Sequence, residues 1–365
     1  MAPRERGHRP GTIAMNDSDL LVSADSHVIE DPHLWERRLP ARFRDAAPVF
    51  PERGIGGPFQ SHPGAWDSAA RVEEMATDGV SQEVLYPSLT MMLFGLADPS
   101  LQRECFLVYN DWIGEYCAAA PDRLFAIAAL SAYDIDHAVR ELERRRADGA
   151  VGAMVWEVPP DELSFATAHY DPLWEAAQAL QVPISLHSQT GAPYRWPRER
   201  GGDKTLVGSA RKANRMTFEG ANAVSDLIAS GALHRFPELH FVLVENEASW
   251  IPGFLSRYDN YYARTDAGLK YAPRSDLAME PSRYFARQFS ATFFNDPTLG
   301  ALLGTWGSTQ CMWSNDYPHA NSTWPHSRAV IERDLGHLDR EARRRVLSAN
   351  AVELYRLPTL AEVAA

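Results

Sequence analysis

Apolar residues in this chain collect in short dense runs, and between the runs lie longer stretches in which they recur every three or four positions. The runs are Leu20–Val28, Gln82–Tyr86, Leu124–Leu130, Val151–Trp156, Pro183–His187, His240–Glu245, Phe289–Phe294 and Gln310–Ser314. An apolar run without alternation is what a strand looks like when both faces are covered, as in a parallel sheet wrapped by helices. Helical spacing marks Leu101–Ala120, Asp136–Asp148, Asp171–Leu180, Ser225–Leu233, Ala248–Tyr258 and Pro325–Leu335. Runs and helical stretches alternate, which predicts βα units around a parallel sheet. Eight such units predict an α/β fold, the TIM-type (β/α)8 barrel: a single domain with insertions over residues 19–358, a disordered leader over 1–18 and a tail over 359–365.

Two stretches break the rhythm. Arg42–Asp67, rich in Pro and Gly, follows the first run, and Ala192–Asn214 follows the fifth. Long irregular loops inside a compact domain are commonly lids or binding loops, and in a barrel both emerge on the face where strands end. A mobile insertion without a role is the competing account.

Composition narrows the partners. Of the 365 residues 45% are hydrophobic, enough for one large core. A net charge of −12 repels phosphate backbones and anionic lipid, which points away from nucleic acid and membrane and toward a small-molecule substrate. An anionic substrate stays open, because a bound cation reverses the local sign of the field. Cys105, Cys117 and Cys311 form no CxxC pair, as expected of a reduced, cytoplasmic protein. No apolar run is long enough to span a bilayer. The first sixteen residues are polar and basic, lack the apolar segment of a signal peptide, and leave Met15 as an alternative start.

Ligand-type residues sit at the ends of the runs. Asp25 and His27 close the first, and side chains two apart on a strand share a face, so the pair projects together into the barrel. Buried ionisable groups need compensation, and a cation supplies it. His187 ends the fifth run and Asp316 follows the eighth. Each has a plain structural explanation when taken alone. Jointly they fall on the rim where barrel enzymes build their sites. Two imidazoles and two carboxylates suit one divalent ion, zinc first and manganese as the alternative. Around them, Glu245 is a general base, a substrate contact or an arginine's partner, and His319 a substrate or supporting group. Tyr86, Trp156 and Trp313 end apolar runs and are candidates to line the pocket, with barrel filling as the other account. Arg195 and Arg198 in the fifth loop could meet a substrate carboxylate or be solvated charge. His326 reads as helix surface and His33 as structural.

The opening ADSH, the strand LHSQTG, the segment FPELHFVLVENEASWIPGFLSRYD and the closing WSNDYPHANSTWP resemble the amidohydrolase superfamily. More narrowly they are similar to its group of aminocarboxymuconate-semialdehyde and resorcylate decarboxylases, over about Leu20 to Leu357. The resemblance implies a distorted TIM barrel with one catalytic metal, held by Asp25, His27, His187 and Asp316, and a homodimer. It also implies that Trp66, Asp67 and Arg71, a WD-x-x-x-R stretch, pack the early loop over the site. Two departures stand out. Many relatives open with H-x-H or E-x-H where this chain has Asp25 and His27, and the decarboxylases carry a histidine after the sixth strand where this chain has Glu245-Asn246-Glu247. Glu245 is the nearest match to it, with Asn246 the other option.

Three functions follow as expectations. The first is non-oxidative decarboxylation of an aromatic or unsaturated carboxylic acid, with Asp316 as proton shuttle assisted by Glu245 or His319. The second is hydrolysis of an amide, lactone or C–C bond by water activated at the cation, with Asp316 or Glu245 as base. The third is a metal-free binding barrel, which leaves inward-facing acids without a partner.

Overall fold

The computed structural model describes residues 20–51, 62–195, 205–266 and 277–359; the expected leader, Arg198 and nearly all of the expected tail lie outside them. Eight parallel strands follow one another around the sheet in chain order. They are β1 (Val22–His27), β2 (Gln82–Tyr86), β3 (Leu124–Ala129), β4 (Gly152–Val158), β5 (Ile184–Gly191), β6 (Phe241–Val244), β7 (Phe289–Phe293) and β8 (Cys311–Trp313). Their residues are buried almost without exception, since the barrel interior covers one face and helices the other. The principal helices are α1 (Ser68–Asp78), α2 (Pro99–Cys117), α3 (Ile135–Ala147), α4 (Asp171–Leu180), α5 (Leu206–Ala229), α6 (Ile251–Asp266), α7 (Pro281–Gln288), α8 (Pro297–Trp306), α9 (Ser327–Leu335) and α10 (Asn350–Tyr355). The architecture is the expected TIM barrel.

Six strands lie inside the predicted runs, whereas β4 and β5 continue to Val158 and Gly191 through polar residues that hydropathy does not mark. The larger correction concerns Ala192–Asn214, expected to be irregular. Helix α5 starts at Leu206, where Thr205 Oγ1 accepts from Gly208 N at 3.1 Å, and runs to Ala229. Nearly every residue from Leu206 to Arg215 is exposed, so this half of the helix has no apolar stripe to betray it. The helix predicted over Ser225–Leu233 is broken at Gly231, whose φ of 75° is left-handed.

Backbone bonds close the barrel beyond the last strand. Asp316 N donates to Asp25 O (3.1 Å) and His27 N to Tyr317 O (2.6 Å). Asn315 Oδ1 accepts from Ser23 Oγ (3.0 Å) and Ser26 Oγ (2.7 Å). At the far end, Tyr355 of α10 reaches the core, its hydroxyl 3.2 Å from that of Tyr86.

The WD-x-x-x-R stretch packs against β1 and β2 through Arg71, which reaches His27 O and Glu83. Asp67 caps α1, accepting from Ala69 N and Ala70 N, and Trp66 is half exposed. Arg71 is fully buried, with Nε 2.5 Å from Glu83 Oε2, Nη1 donating to His27 O at 2.7 Å, and the guanidinium 4.3 Å from the Tyr317 ring centre. Removing one partner of a buried ion pair strands the other charge. Arg71→Leu is therefore expected to lower stability by about 3–5 kcal/mol in urea denaturation. Adding Glu83→Leu should recover more than half of that loss; a double variant as unstable as the sum of the singles would refute the pairing.

Candidate metal centre and active site

The ligand-type residues converge where the strands end. β1 carries one extra residue against β2 between Ser23 and Ser26, and this bulge sets the direction of the strand end that bears Asp25 and His27. His27 Nε2 lies 3.4 Å from Asp25 Oδ1, 3.3 Å from His187 Nε2 and 3.7 Å from Asp316 Oδ1, and His187 Nε2 is 3.8 Å from Asp25 Oδ1. All four residues are buried. Asp316 holds a left-handed φ of 52°, a conformation Asp tolerates better than most residues.

The tautomers follow from the neighbours. His27 Nδ1 is 2.8 Å from Pro87 O and His187 Nδ1 is 3.1 Å from Ser188 O. A carbonyl only accepts, so both Nδ1 atoms carry the proton and both Nε2 atoms present lone pairs to each other. Burial, with His319 next in weight, pushes His27 down to about 3; burial does the same to His187, and both rings are neutral. Asp25 Oδ1 is buried with no hydrogen-bond partner among the described residues, and burial raises its carboxyl. Acceptors face acceptors, an arrangement that a divalent cation satisfies. Asp25, His27 and His187 form one set of donors close enough to share an ion, and His27, Asp316 and His319 form another.

A second layer surrounds this cluster. His319 Nδ1 pairs with Asp316 Oδ1 at 2.8 Å, and its ring centre is 4.0 Å from that of His27. Burial works against a charged His319, but Asp316, Glu245 and Asp25 outweigh it and lift the ring to about 9. Glu245 Oε2 lies 3.7 Å from His187 Nδ1 and accepts from Ser188 Oγ at 3.3 Å. Burial, then Asp316, pushes Glu245 up to about 8; burial and Asp296 do the same to Glu247. Between the two options after β6, Glu245 is the one at the cluster, while Asn246 abuts α5 at Gly220. A cleft of about 300 Å³ opens beside His319, bordered by His62, Tyr317, Ser322 and Trp324.

The other candidates separate. Tyr86 forms the floor, its ring 5.4 Å from His187 and its hydroxyl 2.8 Å from Ser185 Oγ. Trp156 pairs in register with His187, but its indole donates to Tyr170 Oη at 2.8 Å and its ring meets Tyr133 edge-on. Trp313 sits one residue past Met312, which shares its face with Thr292; alternation turns Trp313 to the other face, away from the barrel interior where Thr292 meets Asp25. That removes it from the pocket lining. Arg195 is exposed, outside the buried cluster, and His326 is exposed at the start of α9. Thr292, whose hydroxyl contacts Asp25 Oδ2 (3.4 Å) and accepts from Glu245 N (3.1 Å), was not singled out from sequence; a threonine in an apolar run gives little signal. Asn315 lies inside the closing motif, where nothing local marks its bonds to Ser23 and Ser26.

A family model described as amidohydrolase matches residues 25–357, and the chain belongs to that amidohydrolase family. A gamma-resorcylate decarboxylase of Polaromonas sp. is 28% identical over 276 residues, which cover 72% of this chain and 79% of that one. The structure of 5-carboxyvanillate decarboxylase from Sphingomonas paucimobilis aligns with a TM-score of 0.71 at 22% identity, covering 93% of this chain and all of that one. Dihydroxybenzoic acid decarboxylase from Polaromonas sp., with manganese and 2-nitroresorcinol bound, aligns with a TM-score of 0.65 at 23% identity over 93% of this chain and 97% of that one.

The shifts carry a stability consequence. Groups whose folded values are raised contribute stability that is lost as pH climbs through those values, here about 8 for Glu245 and Glu247 and about 9 for His319. His27 and His187 act in the opposite sense, but above their ordinary value of 6.5 they are neutral folded or unfolded. Metal-free protein is expected to melt at progressively lower temperature from pH 6.5 to 9, and divalent metal to flatten the decline. A melting temperature that stays level without metal would contradict this account.

Proposed function

We propose that the protein removes CO2 without oxidation from an aromatic or enol-like acid that carries an oxygen substituent beside its carboxylate. One observation carries the reading: two imidazole lone pairs face each other 3.3 Å apart between buried carboxylates, a donor set that fits a divalent cation. Asp25, His27, His187 and Asp316 would hold it. When bound, the cation supplies positive charge that fixes the substrate's carboxylate and neighbouring oxygen and stabilises negative charge as the C–C bond breaks. The relatives named decarboxylases, similar over more than two thirds of the chain, support that reaction over others.

The reaction consumes one proton, which replaces CO2 on the substrate carbon. His319 holds a proton at Nδ1 against Asp316 Oδ1, and its partial exposure connects it to solvent. Asp316 delivers that proton to carbon and His319 restores it. Glu245, held by Ser188, accepts a hydrogen bond from the substrate hydroxyl, Tyr86 floors the ring, and Trp156 walls the side toward β3. Arg195, exposed on the fifth loop, meets the incoming anion. Hydrolysis is the second reading, favoured by Glu245, a carboxylate beside the cluster that can take a proton from water.

The manganese bound in the Polaromonas structure makes manganese the first ion to test, ahead of zinc. We further propose a cytoplasmic homodimer whose barrel domain spans residues 19–358.

The test is CO2 release from a panel of 2-hydroxybenzoates and unsaturated diacids by manganese- and zinc-loaded protein. His187→Ala is expected to lose stoichiometric metal. Asp316→Asn should lower kcat by about a hundredfold or more with KM changed severalfold at most. Solvent oxygen in the product without CO2 would overturn decarboxylation in favour of hydrolysis.

A further inference from the structure

Glu157, on β4, is a buried acid that the chemistry above does not use. Its side chain is 1% exposed, and neither carboxyl oxygen has a hydrogen-bond partner among the described residues. Asn246 Oδ1, at the end of β6, is buried and unpartnered as well. Both groups abut the same turn of α5: a Cβ on Gly220 would fall 2.7 Å from Asn246 Oδ1 and 3.4 Å from Glu157 Oε1. Asn246 turns its Oδ1 toward this space, while its Nδ2 donates to Val244 O at 3.1 Å. The charged groups that bear on Glu157 are themselves acids, Glu219 from α5 and Glu245 from the turn after β6. A carboxylate there would be a desolvated charge facing an amide oxygen and two like charges. A carboxylic acid supplies the one missing donor.

We propose that Glu157 is a positioning residue: as the neutral acid it donates its O–H to Asn246 Oδ1 and clamps the turn that carries Glu245 against β4 and α5. The turn needs holding, since Glu245 (φ 56°) and Glu247 (φ 52°), on either side of Asn246, are both left-handed, a strained conformation for glutamate. Asn246 O also accepts from Trp250 Nε1 at 2.9 Å, so side chain and backbone tie the turn at one residue. Burial raises the Glu157 carboxyl well above its usual range, with the adjoining Asn246 side chain acting in the opposite sense and Glu219 and Glu245 adding to the rise. Gly220 is required because any side chain there would occupy the space of the clamp.

The kinetic half of the test rests on the decarboxylase reading, and the spectroscopic half does not. An infrared difference between wild type and Glu157→Gln at neutral pH is expected to show the C=O stretch of a protonated carboxyl in the wild type only. Glu157→Gln, whose amide N–H replaces the O–H, should keep kcat within about threefold, whereas Glu157→Leu should lose about tenfold or more in kcat with KM and metal content near wild type. Absence of the band overturns the proposal. So does equal impairment of both variants, or loss from Glu157→Gln of a second tightly bound cation, which would mean that the acceptors serve an ion. If Glu157→Leu does not fold, the band and the glutamine variant decide. If no acid is decarboxylated, the functional reading falls while the band still reports on Glu157.

Discussion

Everything at the rim of this barrel answers to one constraint: acceptors buried against acceptors must have a positive partner. Backbone carbonyls take the Nδ1 protons of His27 and His187, so their remaining nitrogens can only receive. Asp25 and Asp316 add negative charge to the same dry space. Buried acceptors and acids left without a positive partner are costly. A divalent ion held there would convert the cost into binding free energy.

The barrel's closure makes the cluster possible. Asp25 and Asp316 lie far apart in the chain, yet Asp316 N bonds to Asp25 O across the seam between first and last strands. Asn315 ties the same seam through Ser23 and Ser26, and Arg71 holds the His27 carbonyl from below. The ligands are thus positioned by main-chain bonds and buried polar anchors, which hold geometry more firmly than exposed loops.

Around the ligands the centre is unusually acidic. Glu245 lies at the cluster, with Glu247 and Glu157 close behind in the same sector, and burial raises all three. The raised values limit the mutual repulsion, because acids that keep their protons contribute donors in place of charges. His319 is the counterpart, an imidazole kept protonated by the carboxylates near it. In the proposed reaction, proton supply and charge compensation would draw on one set of groups.

The sequence alone determined the eight strands, their alternation with helices and the four ligand-type residues, because burial on both faces writes a strand as an apolar run and because Asp and His at the ends of such runs are conspicuous. It did not reveal the exposed half of α5, where no core imposes a stripe. It left Glu245 and Asn246 as alternatives, and it placed Trp313 among pocket residues that alternation turns outward. Only the tertiary structure decided which atoms meet: the β1 bulge, the seam at Asn315, the Arg71 anchor and the placement of Glu157 and Asn246 beside Gly220 all join residues distant in the chain. Local pattern records whether a position is buried. Which partner it is buried against depends on closing the barrel, and that is a property of the whole chain.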